Sequence, residues 1–228
     1  MIISINQPAY LPWLGYFNRI IKSDLHVVLD HVQFEKNSFT NRNKILLDKK
    51  PLWLTLPVLT KGNFKNLSIN SLKIDPQINW QKKHWLSIQQ SYSKSPCWSE
   101  FKEPLSNIYS SSYDLLSEAL NNSLRFFIKY LSIMTPIEFS SNYCFAQTKS
   151  DLVLEICKKF KATKYLSGPL GRSYLEETKF NEVGIEVIYD DYIHPVYIQH
   201  SNDFIPYLST LDLLANCGSK SLEILKND

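Results

Sequence analysis

A chain of 228 residues, with 44% apolar and 21% charged residues, is long enough to bury the core of one large globular domain. A net charge of +3, with no lysine/arginine block longer than two residues, lacks the electrostatic footprint of a nucleic-acid binder. No apolar run approaches the ~20 residues of a membrane span, and Met1 leads straight into a strand pattern without a basic leader, so a cytoplasmic protein is expected.

In chain order, the apolar run Ile2–Ile5 reads as a buried strand and Leu14–Lys22 as a helix, with apolar residues at Leu14, Phe17, Ile20 and Ile21. Leu25–Leu29 is a second strand, so the opening is a βαβ unit whose strands are expected to be parallel neighbours. Lys44–Leu47 and Leu52–Val58 flank Asp48-Lys49-Lys50-Pro51 as a β-hairpin, with Pro57 marking a strand end or an edge. Leu67–Ile74 reads as a further extended piece.

Ile78–Ser91, Trp98–Ile108 and Tyr113–Leu131 then read as three helices, with Asp75 and Asp114 near the proposed starts. Alternation resumes with strand Ile137–Phe139, helix Ser150–Phe160, strand Lys164–Leu166, a helix or turn at Tyr174–Phe180 and strand Ile185–Tyr189. A helix from Ser209 to Asn216 stops at Cys217-Gly218, and Ser219 is placed to cap a last helix at Leu222–Leu225. The expected fold class is α/β, a mostly parallel sheet of nucleotidylyltransferase-like layout with a β-hairpin and a helical insertion at about 76–133, all within one domain spanning 1–228. Cys97, Cys144, Cys157 and Cys217 show no metal or redox spacing and are expected to be reduced, mostly buried thiols.

Four polar clusters adjoin strand ends, where open α/β sheets bind ligands. The first is Asn6-Gln7 followed by Tyr10, Trp13, Tyr16 and Phe17 on a turn stiffened by Pro8 and Pro12. A turn needs Gly, Asn, Asp or Pro but not four rings, so the rings are expected to line a pocket; the alternative is that they plug the core. Amide side chains such as Asn6 and Gln7 suit a neutral polar ligand.

The second cluster, Asp30, Gln33, Asn41, Arg42 and Lys44, offers a guanidinium fork and an ammonium for a phosphate or carboxylate, with Asp30 placed to orient Arg42; a salt-bridged surface hairpin is the alternative. The third, Ser167-Gly168 with Arg172 and Tyr174, can cradle an anion, although it is neither a P-loop nor a hydrolase elbow; an ordinary glycine turn is the alternative. The fourth runs from Asp190-Asp191-Tyr192 through His194, Tyr197 and Gln199 to Ser209 and Asp212. His194 is the leading general-base candidate, with Asp190, Asp191 or Asp212 to orient it. His26 falls inside a strand and is expected in the core, while His31, His84 and His200 have no recognisable partners; no spacing supports a metal site.

Asn-Gln-Pro-x-Tyr-Leu-Pro-Trp-x-Gly-Tyr-Phe from Asn6, the Asp30–Lys44 block ending Asn-Arg-Asn-Lys-Ile, Trp53-Leu-Thr-Leu-Pro57, Tyr165-Leu-Ser-Gly168, Tyr192-x-His-Pro-x-Tyr-x-Gln199 and Leu208-Ser-x-Leu-Asp-Leu-Leu214 resemble the WbqC-like protein family. The resemblance runs from residue 2 to about 222. It implies a place in bacterial gene clusters for O-antigen, lipopolysaccharide and other surface polysaccharides, with amide-forming decoration of amino sugars. On that implication the chain is a transferase moving an N-acyl or aminoacyl group from a thioester, on coenzyme A or an acyl carrier protein, to a nucleotide-linked amino sugar.

In that scheme Tyr10, Trp13 and Tyr16 stack on sugar or base, and Arg42, Lys44 and Arg172 hold phosphates. His194, supported by Asp191 or Asp212, deprotonates the amine. The rivals are nucleotidyl or adenylyl transfer in the same pocket, and a non-catalytic sugar-nucleotide-binding protein. One departure stands out: the family's motif usually begins His-Gln-Pro, and here the first residue is Asn6.

Overall fold

The structure, a computed structural model, describes residues 1–60, 67–199 and 203–226. Five strands, β1 (Ile2–Asn6), β2 (Leu25–Val28), β5 (Ile137–Phe139), β6 (Lys164–Ser167) and β7 (Glu186–Tyr189), form one parallel sheet in the order β5-β2-β1-β6-β7. Taken in chain order these lie as third, second, first, fourth and fifth. The direction of winding therefore reverses between β1 and β6, and in such sheets the crevice outside the carboxyl ends at that switch is the ligand position. A separate antiparallel hairpin joins β3 (Arg42–Leu47) to β4 (Lys50–Thr55).

The sheet is covered on both faces, which is why its central strands β1 and β2 are largely apolar. Alternation along β1 sends Ile3 and Ile5 to a core shared with Leu25, Val27 and Tyr165, closed by α5 (Lys149–Lys159) and by Phe180 of α6 (Glu177–Asn181). The opposite face meets α1 (Leu14–Ile21), whose Leu14, Phe17 and Ile20 enter the other core cluster. That cluster continues through the hairpin to α2 (Trp80–Tyr92), α3 (Trp98–Ser110), α4 (Leu116–Tyr130), α7 (Thr210–Cys217) and α8 (Ser221–Lys226).

Local chemistry moves several expected boundaries. Helix α2 starts at Trp80 because the Asn79 side chain accepts from Lys82 N–H (3.2 Å), while Asp75 instead accepts from Gln77 N–H (2.9 Å) one turn earlier. At α4 the carboxylate that closes the start is Glu118, accepting from the N–H groups of both Asp114 and Leu115 (3.0 Å each). Asp48 and Lys49 take positive φ (48° and 63°), a tight two-residue reversal that lets β4 begin at Lys50 and leaves Pro51 within it. Leu67–Ile74 holds a 3-10 turn at Ile69–Ser71 between isolated bridges rather than a strand. The last helix begins at Ser221, after a 3-10 turn at Gly218–Lys220. Among the cysteines, Cys157 is buried, Cys97 and Cys217 are partly exposed and Cys144 is exposed, so the expectation of mostly buried thiols is corrected. All four are free.

Candidate functional site

The aromatic turn after β1 is where distant parts of the chain meet. Tyr10 N–H reaches the carbonyls of Phe39 and Thr40 (3.1 Å each), and Asn43 Nδ2 donates to Leu11 O (2.6 Å). Thr210 N–H donates to Pro12 O (2.9 Å), and Trp13 forms a bridge with Ser209. Leu11 is held at φ 44°, a conformation costly for a branched residue and a form of strain that concentrates at functional turns.

The rings of this turn divide. Tyr10, Tyr16 and Phe17 are fully buried, so the expectation that Tyr10 and Tyr16 wall a pocket is corrected: their rings plug the core. Tyr10 Oη is hydrogen-bonded to His84 Nδ1 and to Tyr109 Oη (2.9 Å each), and burial raises its pKa well above the phenol value. Tyr16 packs edge-on against Phe17 and His26. Trp13 alone among the four is only half-buried, and it opens a ladder of rings: Trp13 to Phe39 at 5.2 Å and Phe39 to Trp53 at 5.9 Å. Arg42 lies over Trp53 at 4.6 Å and Lys44 at 5.6 Å. Phe39 and Trp53 are 41% and 44% exposed, so this cation-rich aromatic face is open to a flat ligand.

On its other side, α1 presents Gly15 and Arg19 to the loops after β6 and β7. A Cβ at Gly15 would lie 2.8 Å from Tyr192 Cδ1 and 3.2 Å from Trp13 Nε1. The Arg19 guanidinium rests against Gly168. Lys22, one turn further, pairs with Asp190 at the end of β7 (2.9 Å). All four sequence clusters thus touch the aromatic turn or α1.

Residues 7–224 match the WbqC-like protein family. The chain belongs to that family. It is also 34% identical to "Uncharacterized protein Rv1507c" of Mycobacterium tuberculosis (strain ATCC 25618 / H37Rv), over 98% of this chain and 97% of that protein. No solved structure gave a significant match.

In this WbqC-like protein, Asn6 stands half-buried at the end of β1, and its Oδ1 is buried with no hydrogen-bond partner. Gln7 Oε1 meets Thr40 Oγ1 at the long distance of 3.5 Å. His194 has both ring nitrogens engaged, Nδ1 with Pro195 O (2.9 Å) and Nε2 accepting from Tyr207 N–H (3.1 Å). Burial lowers its pKa, against the pull of the Pro195 carbonyl, so it stays neutral and braces its own loop.

The carboxylates expected to orient His194 are committed elsewhere. Asp191 forms a two-pronged pair with Arg172 (2.7 and 2.9 Å), which holds its carboxyl below the usual range. Asp212 accepts from Tyr197 Oη and Gln199 Nε2 (2.9 Å each) in full burial. Asp190 is paired to Lys22. The expected His–Asp pairing is therefore corrected. Arg172 is corrected too: it turns away from Gly168 to Asp191 and to the face of Tyr189 (4.3 Å), leaving Arg19 beside the glycine.

Other expected ligand residues serve the scaffold. Asp30 accepts from Ser140 Oγ (3.0 Å), Ser141 N–H (2.9 Å) and Ser141 Oγ (2.7 Å), tying β2 to the turn after β5; it does not orient Arg42, which donates instead to Asn37 O (2.6 Å) and Asn37 Oδ1 (3.3 Å). Asn41 Nδ2 donates to Leu56 O (2.8 Å), and Ser209 caps α7 by accepting from Leu211 N–H (3.1 Å). Gln33 is exposed, with Nε2 close to Phe34 O (3.3 Å). Tyr174 is exposed and Ser167 is buried. His26 is in the core, bonded to Ser4 Oγ (2.7 Å) and pushed down to about 3 by burial and the nearby Arg19 charge. His31 bonds Ser140 Oγ (2.7 Å), and His200 lies outside the described residues.

Arg19 was missed at the sequence level. Its signal was available: with Asn18 it is the only strongly polar residue in the otherwise apolar Leu14–Ile21 helix. A surface depression of about 500 Å³ elsewhere, between α5 and α6, holds the Lys179–Asp151 pair, and none of its lining side chains has a buried polar atom without a partner. Among the described residues no group of His, Cys, Asp and Glu could hold a metal ion, and no helix is long and apolar enough to cross a membrane.

Proposed function

We propose that this protein takes a nucleotide-linked amino sugar at the carboxyl edge of its parallel sheet and transfers an acyl or aminoacyl group from a thioester to the sugar amine, in the building of a surface polysaccharide. One observation supports the ligand class. Flat rings and cations share one open face, where Trp13 of the turn that leaves β1 at the switch point meets Phe39 and the hairpin's Trp53, Arg42 and Lys44. Rings of this kind stack on a base or sugar face, and the remaining N–H groups of Arg42 suit phosphate oxygens.

Aminolysis of a thioester requires a neutral amine held against a polarised carbonyl, and positioning supplies much of such a rate. His194 has no free nitrogen for that proton, and its role is in the loop's architecture. Titration calorimetry with a uridine-diphosphate-linked amino sugar tests the ligand class. Trp53→Ala weakens binding roughly tenfold, the loss of about 1–3 kcal/mol of stacking. Unchanged affinity would remove the aromatic face from the site, and absence of saturable binding to the unaltered protein would reject the ligand class. Thiol release from acyl-coenzyme A in the presence of the same sugar reads the transfer step.

A second reading rests on Asn6. An amide cannot exchange protons near neutral pH, and the family's histidine at this position is absent. Binding without turnover, unrestored by Asn6→His, would mark this chain as a sugar-nucleotide-binding protein rather than a transferase.

A further inference from the structure

Arg19 is the group that the fold leaves unexplained. It is 8% exposed, yet no carboxylate lies within ion-pair distance of it and no hydrogen bond of its side chain is formed among the described residues. Its Nε is buried without a partner. Asp190 is near enough for its charge to be felt, but that carboxylate is already bound by Lys22 at 2.9 Å. Leaving a guanidinium desolvated without a counter-charge is among the costlier arrangements a protein can hold.

The surroundings are shaped for the charge rather than against it. Gly168 has φ −75°, a conformation open to any residue, so the backbone does not require glycine there. Space does: a Cβ at 168 would overlap Arg19 Nη1. Tyr16, Tyr165 and Tyr174 all lie close enough for their hydroxyls to interact electrostatically with the guanidinium. The Tyr16 and Tyr192 hydroxyls are buried with no hydrogen-bond partner, and Tyr192 packs over Gly15, one turn back along the same helix face. The unsatisfied Tyr16 O–H donor beside an unpaired guanidinium forms the complement of an oxyanion. The cluster joins α1, which follows β1, to the turn after β6, and so sits at the switch point of the sheet.

We infer that Arg19, seated on Gly168 and flanked by the Tyr16 hydroxyl, is the receptor for a phosphate-type oxyanion. The receptor stands on its own geometry; that its guest is the diphosphate of a nucleotide-linked sugar rests on the function proposed above. Arg172, the arginine nearer in sequence, is excluded by its pair with Asp191.

Calorimetric titration of the full chain with inorganic phosphate and with pyrophosphate tests this. The unaltered protein binds pyrophosphate saturably, and Arg19→Gln weakens that binding roughly 10- to 100-fold, the loss of charge-assisted hydrogen bonds. Gly168→Ala keeps every charge but displaces the guanidinium, and it weakens binding likewise; it decides the matter if Arg19→Gln does not fold by circular dichroism. No saturable binding of either anion, or undiminished binding in both variants, overturns the receptor. Pyrophosphate binding that depends on Arg19, without binding of a uridine-diphosphate-linked amino sugar, upholds the receptor and rejects the ligand class.

Discussion

Tyr10→Ala lowers the unfolding free energy by about 3–5 kcal/mol and the melting temperature by about 10 °C or more. Tyr10 is 1% exposed, although it sits on a turn that the chain could have left at the surface. Its ring meets Trp80 edge-on at 6.4 Å and lies 5.7 Å from His84, both on α2, and its hydroxyl joins His84 to Tyr109 on α3. One side chain therefore pegs the turn after β1 to the helices that follow the hairpin. Alanine removes the ring, leaves a cavity and strips partners from two buried polar groups. Tyr10→Phe separates these contributions: it keeps the packing and costs about 1–3 kcal/mol for the orphaned polar atoms. Denaturant unfolding of both variants measures the two losses, and a loss below about 1 kcal/mol for Tyr10→Ala would show that the peg carries no load.

The second large effect is a dependence of stability on pH through Asp212. The carboxyl is fully buried, receives Tyr197 and Gln199 at Oδ2, and has Oδ1 without a partner. No cation pairs with it among the described residues; the titratable groups whose charge is coupled to it are Tyr92, Tyr197 and Cys217. Burial pushes its pKa up to about 6, although hydrogen bonds from Tyr197, Gln199 and Tyr92 pull the other way.

An unfolded aspartate titrates near 3.9, so between there and about 6 the folded state holds the extra proton. Stability from this group is highest at or below pH ~4, falls as pH rises, and above pH ~6 carries a full penalty of about 3 kcal/mol. Asp212→Asn keeps the shape and an acceptor oxygen, so it flattens this part of the profile and raises stability at pH 8. Melting temperatures at several pH values between 4 and 8 give the difference between variant and parent; parallel profiles would remove Asp212 as the source.

Much of the fold is legible locally. The apolar runs at Ile2–Ile5 and Leu25–Leu29 and the periodicity of Leu14–Lys22 declare a βαβ unit with parallel neighbours, and the structure forms it with β1 and β2 side by side. Boundaries shift where a cap is chosen by geometry, as when Asn79 and Glu118 close the helix starts instead of Asp75 and Asp114. Counting rings did not reveal which would be exposed. Tyr10 and Trp13 are three residues apart on one turn, yet one points into the helices and the other toward Phe39.

The candidate site is legible as blocks but not as pairings. The residue types that suit a sugar-nucleotide site, amides at Asn6 and Gln7, rings, a guanidinium at Arg42 and a glycine turn at Gly168, stand in the chain at the ends of its strands. Their tertiary roles follow from neighbours that no spacing encodes: Asp30 to Ser140 and Ser141, Asp191 to Arg172, His194 to Tyr207. From sequence alone, the chain determined its parallel α/β character and its family. Only the tertiary structure decided that two of the aromatic turn's tyrosines serve the core, that Trp13 opens the exposed face, and that the arginine on Gly168 is Arg19. The physical reason is that secondary structure follows from neighbours along the chain, whereas burial and charge pairing are set by which elements the sheet order brings together.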